Sequence, residues 1–198
     1  MARTPSTMIP LGTPAPDFDL PDTDGQRVQR TAFAGQPLLV IFTCNHCPFV
    51  VHVRDALSAL VRQWQARGLA VVAIASNDEA KYPQDGPAAM RLAKAEHALP
   101  YPYLFDATQQ VALAYHAACT PDFFLFDRDH HLVYRGQLDA SRPGNGVPVT
   151  GVDLAGAIDD MFAGRATETQ RPSMGCNIKW REENMAGNVP AYPLPSTP

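Results

Sequence analysis

An unbroken apolar run, Leu38-Leu39-Val40-Ile41-Phe42, leads into Cys44-Asn45-His46-Cys47, and this junction constrains the chain more than any other feature. A run without polar alternation is what a strand buried on both faces of a parallel sheet requires. After the two cysteines, Val50, Val53, Leu57, Leu60, Val61 and Trp64 recur at three- and four-residue spacing and Gly68 stops the pattern, which predicts an amphipathic helix. Leu69 to Ala75 is a second unbroken apolar run. The order strand, helix, strand is a βαβ unit, and the two thiols sit where its first strand gives way to its helix. Thiols so placed can close and open a disulfide. The helix dipole is expected to favour the thiolate of Cys44 as the attacking sulfur, with Cys47 as the resolving one.

A chain of 198 residues that is 45% hydrophobic and 18% charged can bury a core in one domain. The formal net charge of -4, with no basic tract, argues against nucleic acid or an anionic membrane as the partner. Met1 to Met8 carries one Arg and no apolar core, and no apolar run approaches the roughly 20 residues that span a bilayer. A cytoplasmic location is therefore expected. Four cysteines are too few for a disulfide-stapled scaffold and fit a reducing compartment in which a pair is catalytic.

Around the βαβ unit, Pro10 to Gly35 reads as a small hairpin with its turn at Asp22-Thr23-Asp24-Gly25. Asp85-Gly86-Pro87 reads as a capping residue and an early proline opening a helix to about Leu99. Tyr101 to Phe105 reads as a strand, and Thr108 to Ala117 as a third helix leading into Cys119-Thr120-Pro121. Phe123 to Phe126 and His131 to Arg135 flank the polar turn Asp127-Arg128-Asp129 and predict an antiparallel hairpin at the sheet edge. Thr150 and Asp153 have the spacing of a capping box, opening a last helix that stops at Gly164. Residues 1 to 170 are expected to form one domain. From 171 to 198 the chain is rich in Pro, Asn and Gly and is expected to be an irregular tail, its first part packed on the body through Ile178 and Trp180.

The succession of strand, C-x-x-C, helix and strand, then Thr120-Pro121 before a hairpin, resembles the thioredoxin-like superfamily. The resemblance implies an α/β fold with a central mixed sheet flanked by helices, carrying an N-terminal hairpin extension. It also implies a cis peptide bond at Pro121 packed against the cysteines, and a Thr120 backbone offered to the substrate. Gly12 to Phe18 and Phe33-Ala34-Gly35 resemble the redoxin branch that holds alkyl hydroperoxide reductases, thiol-specific antioxidants and peroxiredoxins. Cys44 to Val50, with Thr120-Pro121-Asp122 and Pro172 to Trp180, resembles a subgroup of thioredoxin family proteins. Three departures matter. Thr43 stands where thioredoxin has Trp, Leu38 stands where it has a buried acid, and Asn45-His46 replaces Gly-Pro. His46 matches the histidine of the strongly oxidising DsbA-type motif, where a donor beside Cys44 stabilises its thiolate.

The expected activity is thiol-disulfide exchange by Cys44 and Cys47, with Thr120 and Pro121 holding the substrate and Thr43, Asn45 and His46 modulating the pair. Cys119 and Cys176 are accessory thiols or packed residues. Protein or small-molecule disulfides and an electron donor or acceptor are the expected partners, with no cofactor and no resident metal. Two alternatives compete. Peroxiredoxins need a threonine three residues before the reactive cysteine, and Ile41 occupies that place before Cys44 and Cys44 itself before Cys47. A metal-delivery role would draw on Cys44, Cys47, Cys176 and one histidine as a thiophilic copper site.

Overall fold

The computed structural model describes residues 3 to 167 and 169 to 185. Its centre is a five-stranded sheet in the order β6-β5-β4-β8-β9. The strands are β4 (Leu38–Thr43), β5 (Ala70–Ala75), β6 (Tyr103–Phe105), β8 (Asp122–Phe126) and β9 (Leu132–Gly136). β4 pairs in parallel with β5, and β5 with β6, whereas β8 runs antiparallel to both β4 and β9. The sheet is mixed, as the resemblance implied.

The unbroken apolar runs are explained by two cores, one on each face. Leu39 and Ile41 of β4, with Val71 and Ala73 of β5 and Phe123 and Leu125 of β8, point into one cluster with Trp64, Leu57 and Ile158. Leu38, Val40 and Phe42, with Val72 and Ile74, and Phe124 and Phe126, point into the other with Tyr115 and Ile178. Alternate residues of a strand face opposite ways, so covering both faces demands apolar side chains at every position.

The helix after the motif, α1 (Pro48–Ala66), starts on a proline, whose missing N–H costs nothing in the first turn. It buries Val50, Val53, Leu57, Val61 and Trp64, and Gly68 at φ 93° reverses the chain into β5. The other helices are α2 (Pro87–Glu96), α3 (Gln110–Ala114), α4 (Val152–Phe162) and α5 (Glu182–Met185). β2 (Asp19–Pro21) and β3 (Arg27–Gln29) form the expected N-terminal hairpin.

Three expectations need correction. No capping box opens α4: its N-cap is Gly151, Asp153 accepts from Gln137 Nε2, and Asp139 Oδ2 takes the N–H groups of Thr150 and Gly151 at 2.7 and 2.6 Å. Asp85 does not cap α2, whose N-cap is Gly86, because its carboxylate turns toward the cysteine motif. The tail is not irregular throughout. Met174 to Asn177 forms β10, the middle strand of a second sheet between β1 (Arg3–Pro5) and β7 (Cys119–Thr120). The part of the tail from 186 to 198 lies outside the described residues.

Candidate active site

Cys44 follows the C-terminal end of β4, and Cys47 is the N-cap of α1. None of the four cysteines is in a disulfide. Cys44, Cys47 and Cys176 pack together with Val50, at 2%, 0% and 2% exposure for the three thiols. Thr120 reaches the pair from the far side: its Oγ1 lies 3.4 Å from Cys44 Sγ, and its carbonyl accepts from Cys47 Sγ at 3.2 Å. The Thr120–Pro121 bond is cis, as the resemblance implied. Behind this turn Asp122 and Arg135 form a fully buried ion pair at 2.9 Å, and Asp122 also accepts from Ser6 Oγ and from Ala118 N–H.

The helix begins after Cys47, so the second cysteine occupies the helix N-terminus that the sequence had suggested for the first. The charge follows. The Cys47 thiol is lowered to about 4, because its sulfur is held by the S–H of Cys44, by the S–H of Cys176 and by the N–H groups of Val50 and Cys176. The Cys44 thiol is pushed well up by its hydrogen bond to Cys47, by burial and by the nearby Asp85 carboxylate. The shifts run opposite to the sequence-based expectation: Cys47 is the thiol that is lowered and Cys44 the one that is raised. The Asp85 carboxylate adds to this difference by favouring the protonated form of Cys44.

Asp85 is the element that sequence reasoning missed. It is fully buried; its Oδ1 accepts Asn45 N–H at 2.8 Å, and its Oδ2 faces His46 Nδ1 at 2.6 Å and accepts from Asn77 Nδ2 at 2.8 Å. With the carboxylate as acceptor, His46 carries its proton on Nδ1. The ring stacks on Tyr82 at 5.5 Å between centroids and 6° between planes. Asn45 donates to Gln84 O at 2.8 Å and accepts from Tyr103 OH at 3.0 Å. His46 and Asn45 are therefore fixed by partners, and Thr43 closes the strand beneath them, lining with Cys44 and Tyr103 a cavity of about 20 Å³. That is room for about one water.

The family model of the AhpC/TSA family matches residues 11 to 135. The chain belongs to the AhpC/TSA family. No curated protein matches it. Among solved structures, an uncharacterized conserved protein from Geobacillus kaustophilus is 48% identical with a TM-score of 0.89, covering 92% of this chain and 98% of its own. A hypothetical protein from Sinorhizobium meliloti is 49% identical with a TM-score of 0.88, covering 90% and 99%. A thiol:disulfide interchange protein of the thioredoxin family from Chlorobium tepidum is 17% identical, covers 78% and 99%, and shares the fold with a TM-score of 0.59.

Within this AhpC/TSA chain the remaining candidates separate. Cys119 is fully buried outside the thiol cluster, with its S–H directed at Pro121 O at 3.7 Å. Cys176 stands inside the cluster. The Thr120 edge that the resemblance assigns to a substrate is paired here with β10, Cys176 lying opposite Thr120. Among the described residues, the one trio able to close on a metal is Cys44, His46 and Asp85, whose ligand atoms lie within 4.8 Å of one another. The copper set expected from the sequence was Cys44, Cys47, Cys176 and one histidine, and this trio shares Cys44 and a histidine with it. A cleft of about 480 Å³ lined by Tyr134, Asp153, Arg165 and Arg171 has no thiol at its walls and lies apart from the site. A signal for Asp85 and Asn77 does exist: they sit in the segment that leaves the carboxyl end of β5, beside the one leaving β4, and α/β sheets place their sites at such ends. Among the described residues no helix is long and apolar enough to cross a membrane.

Proposed function

We propose that this chain is a thiol-disulfide oxidoreductase whose redox pair is Cys44 and Cys47. The observation that carries the reading is a pair of buried thiols in one cluster, both in contact with Thr120 at the cis Thr120–Pro121 bond. The chemistry runs in two exchanges. Cys44 passes its proton to the Cys47 thiolate through the S–H···S contact, and its sulfur attacks a substrate disulfide, releasing one substrate thiolate. That leaving thiolate takes the proton from Cys47, which attacks Cys44 and frees the second substrate sulfur as a thiolate that is protonated by water. The protein ends with a Cys44–Cys47 disulfide and the substrate ends reduced. Thr120 Oγ1 donates to Cys44 whenever charge rests there. Protein or small-molecule disulfides are the substrates in this reading, with an electron donor that restores the dithiol in a cytoplasmic setting.

Family membership makes peroxide the second reading. Against it stands Ile41, an apolar residue buried in β4 at the place of the threonine that polarises a peroxide. A stopped-flow comparison separates the two. Reduced protein should exchange with a glutathionylated peptide much faster than it consumes hydrogen peroxide, and Cys44→Ser should abolish exchange. A peroxide rate far above that of an ordinary thiolate, lost in Cys47→Ser and kept in Cys44→Ser, would overturn the proposal.

A further inference from the structure

Cys47 is bonded to two thiols, not one. Cys44 lies beside it across the C-x-x-C turn, and Cys176 comes to it from β10, all three thiols being buried in one cluster. Val50 completes this cluster, with Phe49 packed against it. Nor is Cys176 carried on a loose tail. It lies opposite Thr120 in the β7–β10 pairing and opposite Arg3 in the β1–β10 pairing. Beyond it, Ile178 N–H donates to Ala118 O at 3.2 Å and Lys179 N–H to Asn77 Oδ1 at 2.8 Å. Gly175 sets the approach: a Cβ there would lie 2.1 Å from Thr120 O, so only glycine lets the strand come this close.

We propose that Cys176 is a third redox thiol, which takes the disulfide over from Cys44 and moves it to Cys47–Cys176. The inference rests on the two-cysteine reading above. In the oxidised protein Cys176 Sγ gives up its proton and bonds Cys47 Sγ. The Cys44–Cys47 bond breaks, its electron pair leaves on Cys44 Sγ beside the Thr120 hydroxyl, and Cys44 takes up a proton. One disulfide is lost and one is made, so no outside oxidant enters the step. The product holds its disulfide between two buried sulfurs of separate elements and returns Cys44 to the thiol state. Cys119, turned toward Pro121 O, takes no part.

The test is a disulfide map of the full-length protein, equilibrated with oxidised glutathione, quenched in acid, alkylated and digested without reductant. Wild type should yield both the Cys44–Cys47 and the Cys47–Cys176 linkages. Cys44→Ser should form Cys47–Cys176 in full, leaving Cys119 as its alkylatable thiol. In Cys44→Ser/Cys176→Ser, Cys47 should keep its bound glutathione. If Cys44→Ser holds glutathione on Cys47 while Cys176 remains fully alkylatable, and wild type closes Cys44–Cys47 normally, the third thiol is overturned and the two-cysteine reading survives. Wild type that never closes Cys44–Cys47 overturns both. Should Cys44→Ser fold poorly, the wild-type map decides alone: Cys176 fully alkylatable at every ratio of oxidised to reduced glutathione refutes the relay.

Discussion

Replacing Asp85 by Asn separates the structural from the electrostatic work of this buried carboxylate. Asp85 accepts from Asn45 N–H, His46 Nδ1 and Asn77 Nδ2. An amide keeps one oxygen for Asn45 but turns an NH₂ group toward His46 and Asn77. His46 adapts by moving its proton to the other ring nitrogen. Asn77 does not, because its own oxygen already accepts Lys179 N–H at 2.8 Å, so rotating its amide only moves the mismatch. One unmatched buried donor costs about 1–3 kcal/mol. In a chain of this size about 2 kcal/mol lowers the melting temperature by roughly 4–8 °C. The same change removes the carboxylate charge that helps raise the Cys44 thiol, so Cys44 should ionise more readily. Two assays read the two effects: calorimetry on the reduced protein, and peptide-resolved iodoacetamide labelling of Cys44 across pH. The Cys44 profile should move to lower pH. An unchanged melting temperature together with a Cys44 profile that stays put or moves up would refute the reasoning.

Three further outcomes follow from the same contacts. Gly175→Ala must push β10 off Thr120 and, as an overpacking change, should cost about 1–3 kcal/mol and make Cys176 more reactive to alkylation, which thermal melts and labelling would check. Arg135→Met leaves Asp122 as a buried charge without its cation and should cost about 3–5 kcal/mol in a denaturant titration, while a loss below about 1 kcal/mol would mean that Ser6 and the Ala118 N–H suffice. The Cys47 thiol is lowered in the folded state to about 4, so its contribution to stability is fully present above the ordinary thiol value and is lost as pH falls through about 4. The stability gap between reduced wild type and Cys47→Ser should therefore widen as pH rises from about 5 to about 8, and a gap that narrows over that span would contradict the assignment of the charge.

The part of the fold legible in the sequence was the part set by local pattern. Leu38 to Phe42 and Leu69 to Ala75 announced two-sided burial, and α1 was readable from its stripe and its Gly68 stop. What escaped depended on contacts between distant segments. Met174-Gly175-Cys176-Asn177 has the composition of a loop and becomes a strand because β1 and β7 present an edge on either side of it. Asp85 looked like a helix cap, since an acid before Gly-Pro normally serves the first turn, yet three donors around the cysteine motif outbid the helix for its carboxylate. Both cysteines of the motif were identifiable, but not the division of charge between them. That division turns on where α1 starts and on a thiol more than 100 residues away in the chain.

The β1–β10–β7 sheet also bears on the order in which the chain is assembled. The C-x-x-C turn needs only the local βαβ unit, whereas docking β10 closes the chain from Thr120 to Cys176 on one side and from Arg3 to Cys176 on the other. Chain entropy sets such long-range closures late in folding. By that ordering, a refolding or newly made chain should bring Cys44 and Cys47 together before β10 covers the Thr120 strand edge. On the two proposals above, that stage corresponds to a two-thiol exchanger, and the arrival of residues 174 to 177 supplies the third thiol and covers the Thr120 edge.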